Sequence, residues 1–272
     1  MLLKVPNFSL EKTLSLGQTF VWDRDGNYWT SYVDKPVLVS QIDGKNLEVF
    51  GNVTSAEISK MLGLNDRIDD INAEIDKDST IDRAINFSTG VRIVDDGLWP
   101  ATLGFVLSIQ SNVPLILRRI KAMSMFYGDK GETNGFRLYK FPSYERIFNG
   151  GEEALQRFKL GFRKEFVFSA ARAFVERDIA NLGKKDVEAE LLKIKGVGEK
   201  VLDCIRLYGM HELSSFPIDV WIRRAVTREY SHLIKGKDTY RNMRDAMVGY
   251  FGRYSGYAQA YLYNYFRLNK IK

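Results

Sequence analysis

Leu191-Leu192-Lys193-Ile194-Lys195-Gly196-Val197-Gly198-Glu199-Lys200-Val201-Leu202-Asp203-Cys204-Ile205, followed after a short gap by Phe216-Pro217-Ile218-Asp219, decides how this chain is read. Two glycines separate two helical patterns. Val187, Leu191, Leu192 and Ile194 carry the first; Val201, Cys204, Ile205 and Tyr208 carry the second. The spacing predicts a tight hairpin between helices over 186–209, with backbone N–H groups turned outward. Such a turn can hold a DNA phosphate without reading sequence. An ordinary helix–helix turn is the plain alternative, and a nucleotide-binding loop a third. A phosphate loop is disfavoured because Gly198-Glu199-Lys200 is not Gly-Lys-Ser/Thr after a suitably spaced glycine. A dinucleotide fingerprint fails because helix, not strand, precedes the glycines. Lys200 falls on the first turn of the second helix, and Asp219 lies 19 residues on at the start of another. An amine and a carboxylate at the mouth of a DNA-gripping hairpin suggest chemistry on a nucleotide.

Composition narrows the classes. A chain of 272 residues can bury a real core and form two or three subdomains. Its 40 Lys+Arg against 34 Asp+Glu give a net charge of +6, compatible with a polyanionic partner but not diagnostic of one. The single cysteine, Cys204, excludes an internal disulfide and any four-cysteine metal or iron–sulfur site. His211 and His232, the two histidines, leave little for a histidine metal centre. The opening Met-Leu-Leu-Lys-Val-Pro has no apolar core of signal-peptide length. No apolar run approaches the roughly 20 residues that span a bilayer. The expectation is a soluble intracellular monomer without a cofactor, working beside the DNA in a cytoplasm and nucleoid or in a nucleus.

The fold class expected is α+β: an N-terminal antiparallel sheet with helices over 1–95, then an all-helical unit over 96–272. Gln18–Trp22, Tyr28–Val33, Val37–Ile42 and Leu47–Phe50 read as strands, with hairpin signals at Asp25-Gly26 and Asp43-Gly44. Thr54 reads as an N-cap before Ile58 and Leu62, a weak helix covers 67–76, and Val91–Val94 reads as a closing strand. Pro100 and Pro114 suit first helical positions. Asp129–Lys140 reads as loop. Further helices are expected near 143–149, 152–158, 163–178, 186–194, 199–209, 219–230, 239–251 and 255–268.

Gly196–Ile205 with Pro217-Ile218-Asp219-Val220 resembles the helix-hairpin-helix DNA glycosylases, and within them the 8-oxoguanine DNA glycosylase/AP lyases. Leu16-Gly17-Gln18-Thr19-Phe20-Val21-Trp22 is similar to the family's N-terminal segment, and Gly256-Tyr257-Ala258-Gln259-Ala260 to its C-terminal helix. Ile109-Gln110-Ser111-Asn112 and Leu160-Gly161-Phe162-Arg163 are similar to its two DNA-intruding loops. The matches extend over nearly the whole chain in the family's order.

The resemblance implies duplex DNA containing oxidised guanine as partner, and roles residue by residue. Lys200 would supply the amine that attacks C1′ and forms a Schiff base, its pKa lowered by burial and the helix N-terminus. Asp219 would stabilise charge on the sugar while capping its helix. Cys204 and Tyr263 would wall the flipped base, the tyrosine standing where a phenylalanine is more familiar. Gln259 and the Pro217 carbonyl would read its Watson–Crick edge. The Gly17 carbonyl would accept from N7–H, present only in the oxidised base. Gly196, Gly198 and Val201 would grip the backbone, and Asn112, Phe162 and Arg163 would fill the gap and hold the orphaned partner. The carbonyls of Leu192, Ile194 and Val197 would be able to hold a monovalent cation. Two positions depart from the pattern: Leu117, beside Arg118, replaces an expected arginine, and Trp221 replaces a phosphate-contacting histidine. Rival readings are a relative acting on other damaged purines, disfavoured by Lys200, and a non-enzymatic hairpin module, which leaves Lys200, Asp219, Gln259 and Gly17 as coincidences.

Overall fold

Tight turns between antiparallel strands shape the first part of the chain in the computed structural model, which describes residues 1–271. β1 (Leu2–Lys4) and a short α1 (Leu10–Leu14) precede β2 (Trp22–Asp25), β3 (Tyr28–Tyr32), β4 (Pro36–Asp43) and β5 (Asn46–Gly51). The five strands pair antiparallel in the order β1-β5-β4-β3-β2. Trp29 lies opposite Val39, and Val39 opposite Val49. Alternation along β5 buries Leu47 and Val49, while β4 is covered on both faces, with Val37, Leu38 and Val39 all buried. Helices α2 (Ser55–Met61), α3 (Ile68–Ile75) and α4 (Ser79–Phe87) follow. Thr54 caps α2 with a reciprocal bond to Glu57.

The rest is helical apart from one hairpin. It comprises α5 (Leu98–Leu107), α6 (Val113–Tyr127), β6 (Lys130–Thr133), β7 (Phe136–Tyr139), α7 (Tyr144–Ala154), α8 (Arg163–Glu176), α9 (Lys184–Leu192), α10 (Glu199–Gly209), α11 (Val220–Glu229), α12 (Tyr240–Phe251) and α13 (Ser255–Leu268). Helix α5 is buried from Trp99 to Leu107 and packs against α8 and α10. The contact with α10 is close: a Cβ on Gly209 would lie 2.6 Å from Ala101. Helix α13 lies on α4 and α11, and the Asn264 amide donates to Ser88 Oγ at 3.0 Å. The last helix thus reaches back onto the first part of the chain.

Several expected elements differ. The stretch Gln18–Val21 is not strand, nor is 91–94. Their backbone groups are satisfied by side chains instead of a sheet neighbour. Thr13 Oγ1 accepts from Arg92 N, the Tyr257 hydroxyl from Ile93 N, and Gln18 Oε1 from Val94 N. Gln18 in turn donates to the carbonyls of Thr13 and Arg92, both at 2.8 Å. The expected loop at 129–140 contains the β6–β7 hairpin, turned at Asn134-Gly135, both with positive φ. Helices α1 and α4 were not signalled, being short and without strong breakers. The break between 143–149 and 152–158 is present at Gly151, whose φ of 77° interrupts α7.

Candidate active site

A cleft of about 1600 Å³ opens between the N-terminal segment, the helical hairpin, α11 and α13. It is larger than the roughly 300–1,000 Å³ usual for small-molecule pockets. Gly17, Asn112, Gly196, Gly198, Lys200, Val201, Cys204, Pro217, Asp219, Trp221, Gln259 and Tyr263 all line it. Phe162 and Arg163 do not.

The hairpin is built by α9, the turn and α10. Gly196 has φ +91°, and a Cβ there would lie 2.6 Å from the Phe166 ring, so packing on α8 demands glycine. Gly198, the N-cap of α10, is different: nothing lies within 4 Å of a Cβ built on it. The Lys195 amide donates to Ser169 Oγ at 3.3 Å and its ammonium pairs with Glu165, tying the turn to α8. Of the three expected cation-facing carbonyls, that of Ile194 already accepts the Val197 amide at 3.0 Å.

Lys200 and Cys204 stand one turn apart on α10, so they share a face. The Lys200 ammonium sits 5.7 Å from the centre of the Phe105 ring. The sequence predicts a depressed lysine pKa, but in the free site the direction is upward. Negative charge on Cys204 would raise it most and Asp219 adds to this, while burial opposes both. Burial pushes the Cys204 thiol up to about 11, so at neutral pH it is uncharged and Asp219 is the anion facing the ammonium. Asp219 caps α11, its Oδ1 accepting from Ile222 N at 2.8 Å. Burial raises its carboxyl pKa, opposed by the Ile222 amide, Lys200, the Trp221 amide and Arg267.

Across the cleft, Gln259 and Tyr263 lie one turn apart on α13. The Gln259 amide donates to the Pro217 carbonyl at 3.0 Å, and Gln259 Oε1 accepts from the Tyr208 hydroxyl at 3.4 Å. Tyr208 stacks on Phe105, with ring centres 5.6 Å apart and planes at 20°. Tyr208 and Phe105 were missed by sequence reasoning. For Tyr208 the signal was there, since it lies four and eight residues after Cys204 and Lys200.

The expected DNA-intruding residues are more divided. Asn112 is exposed, but its Oδ1 caps α6 by accepting from Leu115 N at 3.0 Å. Phe162 is half exposed, edge-on to Phe166. Arg163 is not a free donor: it is buried, and its guanidinium donates to the carbonyls of Ile109 at 2.6 Å, of Gln110, and of Leu160 at 3.4 Å. It ties the two loops together. Arg119, not Arg118, also spans them, donating to Ser111 Oγ at 3.4 Å and to the Lys159 carbonyl at 3.1 Å. Trp221 carries the Arg224 guanidinium 4.7 Å from its ring centre, and Arg223 and Arg228 also line the cleft. That basic face of α11 went unread, its charges being scattered at helical spacing. Among the described residues no cluster of three His, Cys, Asp or Glu side chains is placed to hold a metal ion, and no helix is long and apolar enough to cross a membrane.

A hairpin with an open glycine, Lys200 and Asp219 in one cleft beside it, and arginines along the cleft lining together suit chemistry on a DNA nucleotide. Comparison with known proteins carries this further. Residues 1–101 match the family model described as 8-oxoguanine DNA glycosylase, N-terminal domain. The chain is 23% identical to an N-glycosylase/DNA lyase of Arabidopsis thaliana over 94% of its own length and 76% of the plant protein. It is 27% identical to a probable N-glycosylase/DNA lyase of Methanothermobacter thermautotrophicus, covering 70% of this chain and 68% of that one. The crystal structure of the Clostridium acetobutylicum 8-oxoguanine glycosylase/lyase with duplex DNA superposes with a TM-score of 0.86 at 27% identity, over 100% of this chain and 99% of the other. These likenesses together support an 8-oxoguanine DNA glycosylase of the helix-hairpin-helix superfamily.

Proposed function

We propose that this protein flips 8-oxoguanine out of double-stranded DNA, cleaves its N-glycosidic bond and nicks the strand by β-elimination, acting as an intracellular monomer. One observation carries the reading: Lys200 and Asp219 line the same cleft as Gly17, Cys204, Gln259 and Tyr263, beside the open turn at Gly198.

The flipped base stacks between Cys204 and Tyr263. The Gln259 amide and the Pro217 carbonyl meet its Watson–Crick edge, and the Gly17 carbonyl accepts the N7 proton that normal guanine lacks. A lone hydrogen bond of this kind is worth about 1–3 kcal/mol, enough for roughly 5- to 150-fold preference. Lys200 must first lose its proton to solvent, against a raised pKa. The free amine attacks C1′ as the electrons of the N-glycosidic bond leave with the base, which takes a proton from water. Asp219, ionised, offsets positive charge on the sugar. The ring opens to a lysine imine, a C2′ proton is removed, and the 3′ phosphate departs. Gly196, Gly198, Val201 and Trp221 hold the backbone; Asn112 and Phe162 fill the vacated stack. Arg163 meets the partner base only after releasing its loop carbonyls. A monovalent ion on the carbonyls of Leu192, Ile194 and Val197 would add to the phosphate grip.

The test uses duplex oligonucleotides with 8-oxoguanine opposite each base, incubated with enzyme and borohydride. Release of the base with a trapped protein–DNA adduct is expected, and none on undamaged duplex. Activity confined to alkylated purines, or release without trapping, contradicts the reading.

A further inference from the structure

Arg267, one turn beyond Tyr263 on α13, links three parts of the base pocket. Its Nη1 donates to the Leu16 carbonyl at 2.7 Å and to the Tyr263 hydroxyl at 3.0 Å. Its guanidinium carbon lies 5.3 Å from the Tyr263 ring centre. Gly17 follows immediately, with φ +79°; a Cβ built on it would lie 3.7 Å from Arg267 Nη1 and 4.0 Å from the Tyr263 hydroxyl. Val113 Cγ2, at 2.9 Å, closes the other side. Leu16 and Arg267 are 251 residues apart in sequence, so this one nitrogen clamps the N-terminal segment to the last helix.

The consequence follows from peptide geometry. Holding the Leu16 carbonyl fixes the rigid Leu16–Gly17 peptide, so the Gly17 carbonyl in the next unit can turn only through the φ and ψ of Gly17, which Val113 and Arg267 hem in. The same nitrogen fixes the Tyr263 hydroxyl, and with it the ring. Charge-assisted bonds of this kind are the stronger ones. We infer that Arg267 is a specificity-determining positioning residue. It sets the spacing between the Gly17 carbonyl that reads the oxidised base and the Tyr263 wall on which the base stacks. This deepens the proposed activity and rests on it. Tyrosine at 263 then has a purpose beyond stacking, since its hydroxyl is the second point the clamp grips. Arg267 also bears on the chemistry at a distance, its positive charge favouring the ionised form of Asp219.

The test compares wild type, Arg267→Met, Arg267→Lys and Tyr263→Phe in single-turnover excision from duplexes carrying 8-oxoguanine or guanine, across pH. Arg267→Met should lose roughly tenfold of the oxidised-over-normal preference, about one charge-assisted hydrogen bond. Its acid limb should move to higher pH as Asp219 loses a cationic neighbour. Arg267→Lys should restore the limb but only part of the preference. Tyr263→Phe should lose preference without moving the limb, and combining it with Arg267→Met should add little. Unchanged preference and limb in Arg267→Met overturn the inference while wild-type activity on 8-oxoguanine leaves the functional reading standing. If wild type ignores 8-oxoguanine, the functional reading fails, and hydrogen exchange at the Gly17–Thr19 amides decides the clamp alone. Faster exchange in Arg267→Met supports it; equal exchange sinks it.

Discussion

The side-chain amide of Gln259 donates to the carbonyl of Pro217 at 3.0 Å. The two groups proposed to read one edge of the base therefore hold each other in place before any base arrives. Tyr208 completes the arrangement by donating to Gln259 Oε1. With both ends of the amide engaged, its orientation is set, so little rotamer entropy remains to be lost on binding. Gln259→Leu should raise KM for the lesion duplex by roughly 10- to 100-fold, the loss of one or two hydrogen bonds in a buried site. Tyr208→Phe should cost under about tenfold, since only a long bond is lost. Steady-state kinetics on one 8-oxoguanine duplex separates the two; equal effects contradict this ordering.

The pH profile follows from two raised pKa values. Asp219 is lifted by burial, so its carboxylate disappears as pH falls through a value above the ordinary 3.8. Lys200 is lifted by the negative charge that Cys204 carries once its thiol ionises in the alkaline range, and by Asp219, so its amine gains population as pH rises towards a value above 10.5. Excision by the free enzyme should climb through neutrality, with no plateau between pH 5 and 8. Asp219→Asn should lower kcat by orders of magnitude, as befits a charge used mainly in the transition state. It retains a side-chain oxygen for Ile222 N, so Tm should fall little. A variant that unfolds yet keeps its rate when folded would reduce Asp219 to a cap.

The two hairpin glycines should separate stability from binding. Gly196→Ala places a methyl against Phe166 at a positive φ and should destabilise the fold by about 1–3 kcal/mol. Gly198→Ala meets open space, so Tm should hold while affinity for damaged and undamaged duplex falls alike. Binding should weaken steeply with salt, as phosphate contacts do. Loss on damaged DNA alone would contradict a phosphate role for this turn.

Much of the site was legible because it is helical. Lys200, Cys204 and Tyr208 repeat every four residues on α10, and Gln259, Tyr263 and Arg267 do the same on α13, so one face of each helix could be read from spacing. What spacing cannot carry is where a long side chain turns. Arg163 reads as a DNA-facing donor from its place after Phe162, yet its donors end on Ile109, Gln110 and Leu160. For the Lys200 pKa, burial acts in the expected downward direction but is outweighed, first by Cys204 one turn along the same helix and then by Asp219, whose nearness is a tertiary fact. In the N-terminal part, Val91–Val94 has strand composition, but side chains from Thr13, Gln18 and Tyr257 take its backbone donors.

Arg163 also bears on the partner base. Its guanidinium is committed to three carbonyls, and Leu117 stands where a second arginine is expected, so preference for cytosine over adenine opposite the lesion should be modest. One charged hydrogen bond sets a ceiling of roughly 150-fold. Arg163→Ala should flatten that preference and, by leaving buried carbonyls unpaired, cost about 1–3 kcal/mol. That corresponds to a Tm drop of roughly 2–12 °C for a chain of this size. Discrimination beyond roughly 1,000-fold would show that another residue reads the partner.

The measurement that bears most directly on the account is borohydride trapping on an 8-oxoguanine duplex, followed by mass spectrometry of the cross-linked peptide. Wild type should give one adduct, located on Lys200, and Lys200→Gln should give none and release no base while binding the damaged duplex with nearly unchanged affinity. An adduct on any other amine, or one that survives in Lys200→Gln, would show that the chemistry is not carried by the lysine of the hairpin.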